Sequence, residues 1–157
     1  MTKAKDTMAE QRIAQIMVVD DDPDTVSILA RHLQREGYTA IEAGSGQDCL
    51  RLLRDRTADV ILLDLMMPGM DGFDVCRALK GNPRTAEIPI IMITARDDLD
   101  ARAEGMRLGV SDFLAKPVFR RQLANRIRAQ LEAVAAGRAT EAALSRLNRS
   151  RNGGKKK

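Results

Sequence analysis

Five polar residues of this 157-residue chain stand where apolar runs stop. Asp20 and Asp21 follow Ile16-Met17-Val18-Val19, and Asp64 follows Val60-Ile61-Leu62-Leu63. Thr94 closes the run Ile88–Ile93, and Lys116 follows Phe113-Leu114-Ala115. Three carboxylates brought together repel one another unless a cation sits among them. No Cys or His flanks them, and an all-oxygen donor set suits a hard divalent ion, best Mg2+. A carboxylate is a weak nucleophile. It forms an acyl phosphate when a metal and a cation neutralise the incoming phosphoryl oxygens. Lys116 offers such a cation as a point charge, and Thr94 offers a hydroxyl to a phosphoryl oxygen. Each residue alone has a plain explanation, since strands end in polar residues and Thr often caps helices. The conjunction is what points to chemistry.

That chemistry requires a fold that carries the four run ends to one edge. From Ile13 to about Ala136 the chain alternates strand-like and helix-like segments. The strand candidates are Ile16–Val19, Tyr38–Glu42, Val60–Leu63, Ile88–Ile93 and Asp112–Ala115. The first, third and fourth are nearly continuous apolar runs, as strands buried on both faces must be. Asp22-Pro23-Asp24 starts a helix with a cap-type acid and a Pro in the first turn, and Gly37 stops it. Ser45 and Asp71 are the caps expected for the next two helices, Asp97–Leu108 reads as the fourth, and a fifth starts near Arg120. Five strands alternating with five helices predict an α/β fold, a doubly wound parallel sheet with helices on both faces. Ligands of such sheets bind at the carboxyl ends of the strands, where the five polar residues stand. Pro68, Gly69 and Gly72 follow Asp64 and leave room for a bound group.

The chain resembles the receiver domain of bacterial two-component response regulators, of the chemotaxis-regulator kind. The pieces that carry the resemblance are Val18-Val19-Asp20-Asp21 and Leu62-Leu63-Asp64-Leu65-Met66-Met67-Pro68-Gly69-Met70-Asp71-Gly72. Ile93-Thr94-Ala95 and Phe113-Leu114-Ala115-Lys116-Pro117 complete it, in the family's order and spacing across residues 13–136. The resemblance implies the flavodoxin-like strand order 2-1-3-4-5. It implies that Asp64 is the phosphoacceptor for a histidine kinase or phosphotransfer protein. Asp21 would ligate Mg2+ directly, Asp20 through water, and Met66 through its backbone carbonyl. Thr94 would be the switch hydroxyl, with small Ala95 leaving access to the site. Lys116 would pair with the phosphoryl group, its bond to Pro117 cis. Phe113 would be the aromatic switch, turning inward as Thr94 moves. That change would alter the face of the fourth helix, fifth strand and fifth helix, where a downstream protein or a second copy docks. The only catalysis implied is self-phosphorylation and self-dephosphorylation. The chain would act alone, as part of a longer regulator, or as a phosphorelay intermediate. Asp22 falls one place past the acidic pair and reads as a helix cap.

Two other classes fit less well. Haloacid dehalogenase-like phosphohydrolases carry an Asp-x-Asp pair at the nucleophile strand, and here Met66 stands two places after Asp64. A flavodoxin-like nucleotide binder needs a Ser/Thr/Gly phosphate loop after the first strand, where Asp20-Asp21-Asp22 would repel phosphate. His32, the lone histidine, argues against a His-rich metal site or a serine-type triad and reads as a surface or half-buried helix residue. Cys49 and Cys76 read as packed helix residues of a protein from a reducing cytoplasm. No run of about 18 apolar residues is present.

The formal net charge of +4 conceals two halves. Residues 1–117 hold 15 Lys+Arg and 20 Asp+Glu, whereas residues 118–157 hold 11 Lys+Arg and only Glu132 and Glu141. The sequence divides into a polar leader over 1–12, expected to be disordered, the receiver-like unit 13–136, and a basic extension 137–157. In the extension Gly137 is expected to interrupt the last helix, a further turn or two to form within 139–149, and the end to be disordered. Leu144 and Leu147 are too few to define a heptad seam. Three uses of this tail stay open. It could contact nucleic acid or an anionic membrane, bind an acidic protein, or serve as a solvated extension or linker.

Overall fold

The computed structural model describes residues 12–96 and 98–154, with side chains as far as Arg151. Five parallel strands form one sheet: β1 (Gln15–Val19), β2 (Thr39–Ala43), β3 (Val60–Leu63), β4 (Ile90–Thr94) and β5 (Asp112–Ala115). Their order is β2-β1-β3-β4-β5, as expected. The helices between and after them are α1 (Pro23–Arg35), α2 (Gly46–Asp55), α3 (Gly72–Lys80), α4 (Leu99–Arg107) and α5 (Arg120–Gly154).

The alternation of side chains along each strand sorts the core into two layers. Met17, Val19, Ile61, Leu63, Ile90, Met92 and Phe113 face the layer that also holds Cys49 and Leu53 of α2, Val75, Cys76 and Leu79 of α3 and Ala101 of α4. Ile16, Val18, Val60, Leu62, Ile91, Ile93 and Leu114 face Val26, Leu29 and Leu33 of α1 and Leu123 and Ile127 of α5. The central strands thus bury both faces, which explains their unbroken apolar runs.

The helix starts are set by side-chain caps. Asp22 accepts from the Asp24 N–H, and Ser45 accepts from the Asp48 N–H. Asp71 and Asp74 form a reciprocal capping box at α3. Asp98 accepts from the Ala101 N–H to cap α4, while Asp97, the expected start, lies outside the described residues. Gly37, at φ +87, ends the α1 turn as only a residue comfortable in the left-handed region can.

Residues 1–11 of the leader lie outside the described residues, and Arg12 after them pairs its guanidinium with Asp59 at 2.7 Å. One expectation needs correction. Gly137 does not interrupt α5, which runs 35 residues to Gly154. The surrounding Ala, Arg, Leu and Glu are strong helix formers, and one exposed Gly costs only about 1 kcal/mol against them. Lys155–Lys157 lie outside the described residues. Among the described residues no helix is long and apolar enough to cross a membrane.

Candidate phosphoryl and metal site

The parallel ladders bring the predicted residues to one edge. The Asp64 N–H donates to the Val19 carbonyl at 2.9 Å and the Asp20 N–H to the Ala43 carbonyl at 3.2 Å, so both acids are positioned by the sheet itself. The Lys116 N–H donates to the Thr94 carbonyl at 3.0 Å, continuing the β4–β5 pairing. The Lys116–Pro117 bond is cis.

Side-chain oxygens of Asp20, Asp21 and Asp64 lie within 4.8 Å of one another. Asp20 is 3% and Asp64 5% exposed, whereas Asp21 is open to solvent. The Lys116 ammonium reaches into the group, 3.0 Å from Asp20 Oδ2 and 3.5 Å from Asp64 Oδ2. Asp20 Oδ1 also accepts from the Asp22 N–H at 2.9 Å, and Asp64 Oδ1 from the Met66 N–H at 3.3 Å.

Burial and the neighbouring Asp20 charge hold the Asp64 carboxyl above the usual carboxylate range, although Lys116 and the Met66 N–H oppose them. Burial pulls the Lys116 ammonium down, but its hydrogen bond to Asp20 and the charges of Asp64 and Asp20 outweigh that and raise it. Lys116 therefore stays protonated while the pocket keeps more acid than one ammonium neutralises. An all-oxygen cluster with surplus negative charge and an exposed acid at its mouth fits a hard divalent cation.

Thr94 is fully buried, and its hydroxyl accepts from the Arg96 N–H at 3.1 Å. Ala95 is exposed beside it. Met66 is 59% exposed and lines, with Leu65, Met67, Pro68, Asp71, Phe73 and Arg96, an open cavity of about 430 Å³ at the loop that follows Asp64. Phe113 is 4% exposed, so its ring already faces inward.

Gly72 serves a different end from the one its spacing suggested. A Cβ there would lie 2.6 Å from the Asp64 carbonyl oxygen and 2.7 Å from Leu65 Cα. The residue lets the start of α3 pack against the backbone of the Asp64 loop, leaving the open space to the Met66 side. No local pattern marks that contact.

Asp22, Cys49, Cys76 and His32 have the structural places expected of them. Asp22 caps α1, and His32 is half-buried. Burial pushes the Cys49 thiol up to about 12 and that of Cys76 up to about 11, so neither is a reactive thiolate.

The comparisons agree with this geometry. The family model of the response regulator receiver domain matches residues 16–128. The response regulator PleD of Caulobacter vibrioides is 47% identical over 105 residues, which cover 67% of this chain and 23% of that protein. The chain therefore spans under a quarter of this curated relative. Among solved structures, the chemotaxis protein CheY4 of Vibrio cholerae superposes with a TM-score of 0.74 at 28% identity, covering 76% of this chain and all of that one. The receiver domain of the sensor histidine kinase PA1611 from Pseudomonas aeruginosa, solved with a magnesium ion coordinated in its active-site cleft, gives a TM-score of 0.71 at 26% identity, covering 77% of this chain and 99% of that one. Matched over most of its length by the family model, with the same fold and an acidic strand-end site, the chain belongs to the response regulator receiver domains of two-component signalling.

Proposed function

We propose that the chain is a phosphorylation-dependent switch in which Asp64 accepts a phosphoryl group from a phosphohistidine of a histidine kinase or phosphotransfer protein. The observation that carries this reading is the Lys116 ammonium lying between the buried carboxylates of Asp20 and Asp64, with an open cavity at the loop that follows Asp64. An Asp64 carboxylate oxygen attacks phosphorus. The N–P bond breaks, its electron pair returns to the imidazole nitrogen, and an O–P bond forms. Asp21, Asp64 and the Met66 carbonyl would hold Mg2+, with Asp20 acting through water. When bound, the ion neutralises phosphoryl oxygens and aligns the donor. Lys116 supplies the remaining positive charge, and the Thr94 hydroxyl binds a phosphoryl oxygen on the Ala95 side.

Thr94 and Phe113 lie on neighbouring strands, with Thr94 opposite Ala115 and Phe113 opposite Met92. That proximity supports coupling between the site and the α4–β5–α5 face, where a partner protein or second copy binds. The chain turns over no external substrate; its chemistry is its own phosphorylation and dephosphorylation. The greater length of PleD supports a second reading, that of the receiver part of a longer regulator or relay.

The test is incubation with Mg2+ and acetyl phosphate, read by mass. One phosphoryl group is gained, and the gain is lost in Asp64→Asn and without Mg2+. Label retained in Asp64→Asn overturns the reading.

A further inference from the structure

Helix α4 buries only two residues, Ala101 and Gly105, both small. The ring of Phe113 rests against the second. A Cβ on Gly105 would overlap that ring, meeting Cζ and lying 2.6 Å from Cε2, with Val110 Cγ2 at 3.5 Å. The Arg102 guanidinium, one turn earlier on α4, stands over the ring, 5.5 Å from its centroid.

The backbone does not explain this glycine. The residues with positive φ are Gly37, Gly69 and Gly109, so Gly105 has a conformation any residue adopts. Glycine inside a helix costs stability relative to alanine. What the position gains is the space where the Phe113 ring lies.

We propose that Gly105 is the positioning residue of the Phe113 switch: its missing side chain is the seat of the inward ring, and side-chain size there sets the balance between inward and outward ring. This rests on the switch reading of Thr94 and Phe113 given above. It adds that the ring is held inward by α4 and not by the strand that carries it. The buried face of α4 is made of these two small residues, so a group added at Gly105 must expel the ring or lift the helix. Either event changes the α4–β5–α5 face without touching Asp64. A ligand or variant shifts such an equilibrium only by favouring one state over the other. Filling the seat does so directly.

The test uses the full chain labelled with 13C in its three Phe rings, with Phe113 assigned from the spectrum of Phe113→Leu. A soluble paramagnetic agent reports ring exposure. Phe119, 67% exposed, is the internal reference for an open ring. In the natural chain the Phe113 ring is protected. In Gly105→Ala and Gly105→Ser its relaxation rises several-fold toward that of Phe119. A ring that stays protected in both variants overturns the proposal. A second measurement guards against simple unfolding. Gly105→Ala lowers the thermal midpoint of the natural chain but raises it in a Phe113→Ala background, where helix propensity acts alone. The same sign in both backgrounds overturns the proposal. Labelling of Asp64 by acetyl phosphate is read in parallel on the natural chain. Its failure would overturn the phosphoacceptor reading and leave the ring result to stand or fall by itself.

Discussion

The carboxyl end of the sheet and the far half of α5 are both charged, and they hold their charges in opposite ways. Asp20 and Asp64 are almost entirely buried, tied to Lys116 and fixed by backbone N–H groups. Arg138, Arg146, Arg149 and Arg151 are exposed and form no ion pair among the described residues. Water screens the second set, and a change there costs little. The first set is desolvated, so its members fix one another's position, and their charges shift the ionisation of Asp64 and Lys116. The same contrast runs along α5. Its first turns bury Leu123, Ala124 and Ile127 against the sheet, whereas 135–151 are exposed throughout. Burial decides which charges and apolar groups matter, and sequence composition does not.

The sharpest way to break that contrast lies within α5. Ile127→Ala is expected to destabilise the fold by about 3 kcal/mol through lost burial and a cavity. Leu144→Ala, already 55% exposed, should cost under about 0.5 kcal/mol. Urea unfolding of both variants reads the difference, and similar costs would show the far half of α5 packed on something. Next comes Lys116→Met, which strands two buried carboxylates. Its expected cost is about 2 kcal/mol at neutral pH, below the range for fully buried pairs because Lys116 is 28% exposed. That cost should shrink as the solution is acidified and Asp64 takes up a proton. Substituting methionine for Arg146 should show neither effect.

The third prediction concerns the sign of the Asp64 charge. Its folded carboxyl ionises at higher pH than the unfolded one, so ionisation opposes folding. The penalty is full above the folded pKa and disappears as the pH falls toward the unfolded value near 4. In metal-free buffer Asp64→Asn should therefore be more stable than the natural chain at pH 7, with the gap closing near pH 4. Thermal melts at both pH values check it. The smallest effect belongs to the solvent side. Gly137→Ala should strengthen the far half of α5 by about 0.5–1 kcal/mol, seen as slower amide exchange around 137 with the global midpoint little changed.

The strands were legible because each alternates with a helix and three are apolar without a break. β3 and β5 have the expected bounds, and the ends of β1, β2 and β4 shifted by one or two residues, as at Ile90, where the ladder starts after Pro89. Pro89 has no N–H to donate, although its carbonyl accepts from Ile61. The caps Asp22, Ser45 and Asp71 were legible because capping is local chemistry between a side chain and an amide two or three residues on. The course of α5 past Gly137 was not, because a glycine is a stop signal only where its neighbours are weak helix formers. Gly72 and Gly105 were opaque for another reason. Each is needed by an atom eight residues away on another segment, the Asp64 carbonyl for one and the Phe113 ring for the other.

The sequence by itself determined the class of the fold, the identity of the strand-end residues and the division into an acidic unit and a basic extension. These follow from periodicity, side-chain chemistry and counting, which need no coordinates. Only the tertiary structure decided that Lys116 lies between Asp20 and Asp64, that burial holds the Asp64 carboxyl above the usual range, and that the ring of Phe113 sits on Gly105. Distances, burial and packing arise where separate segments meet, and a linear pattern carries no measure of that meeting.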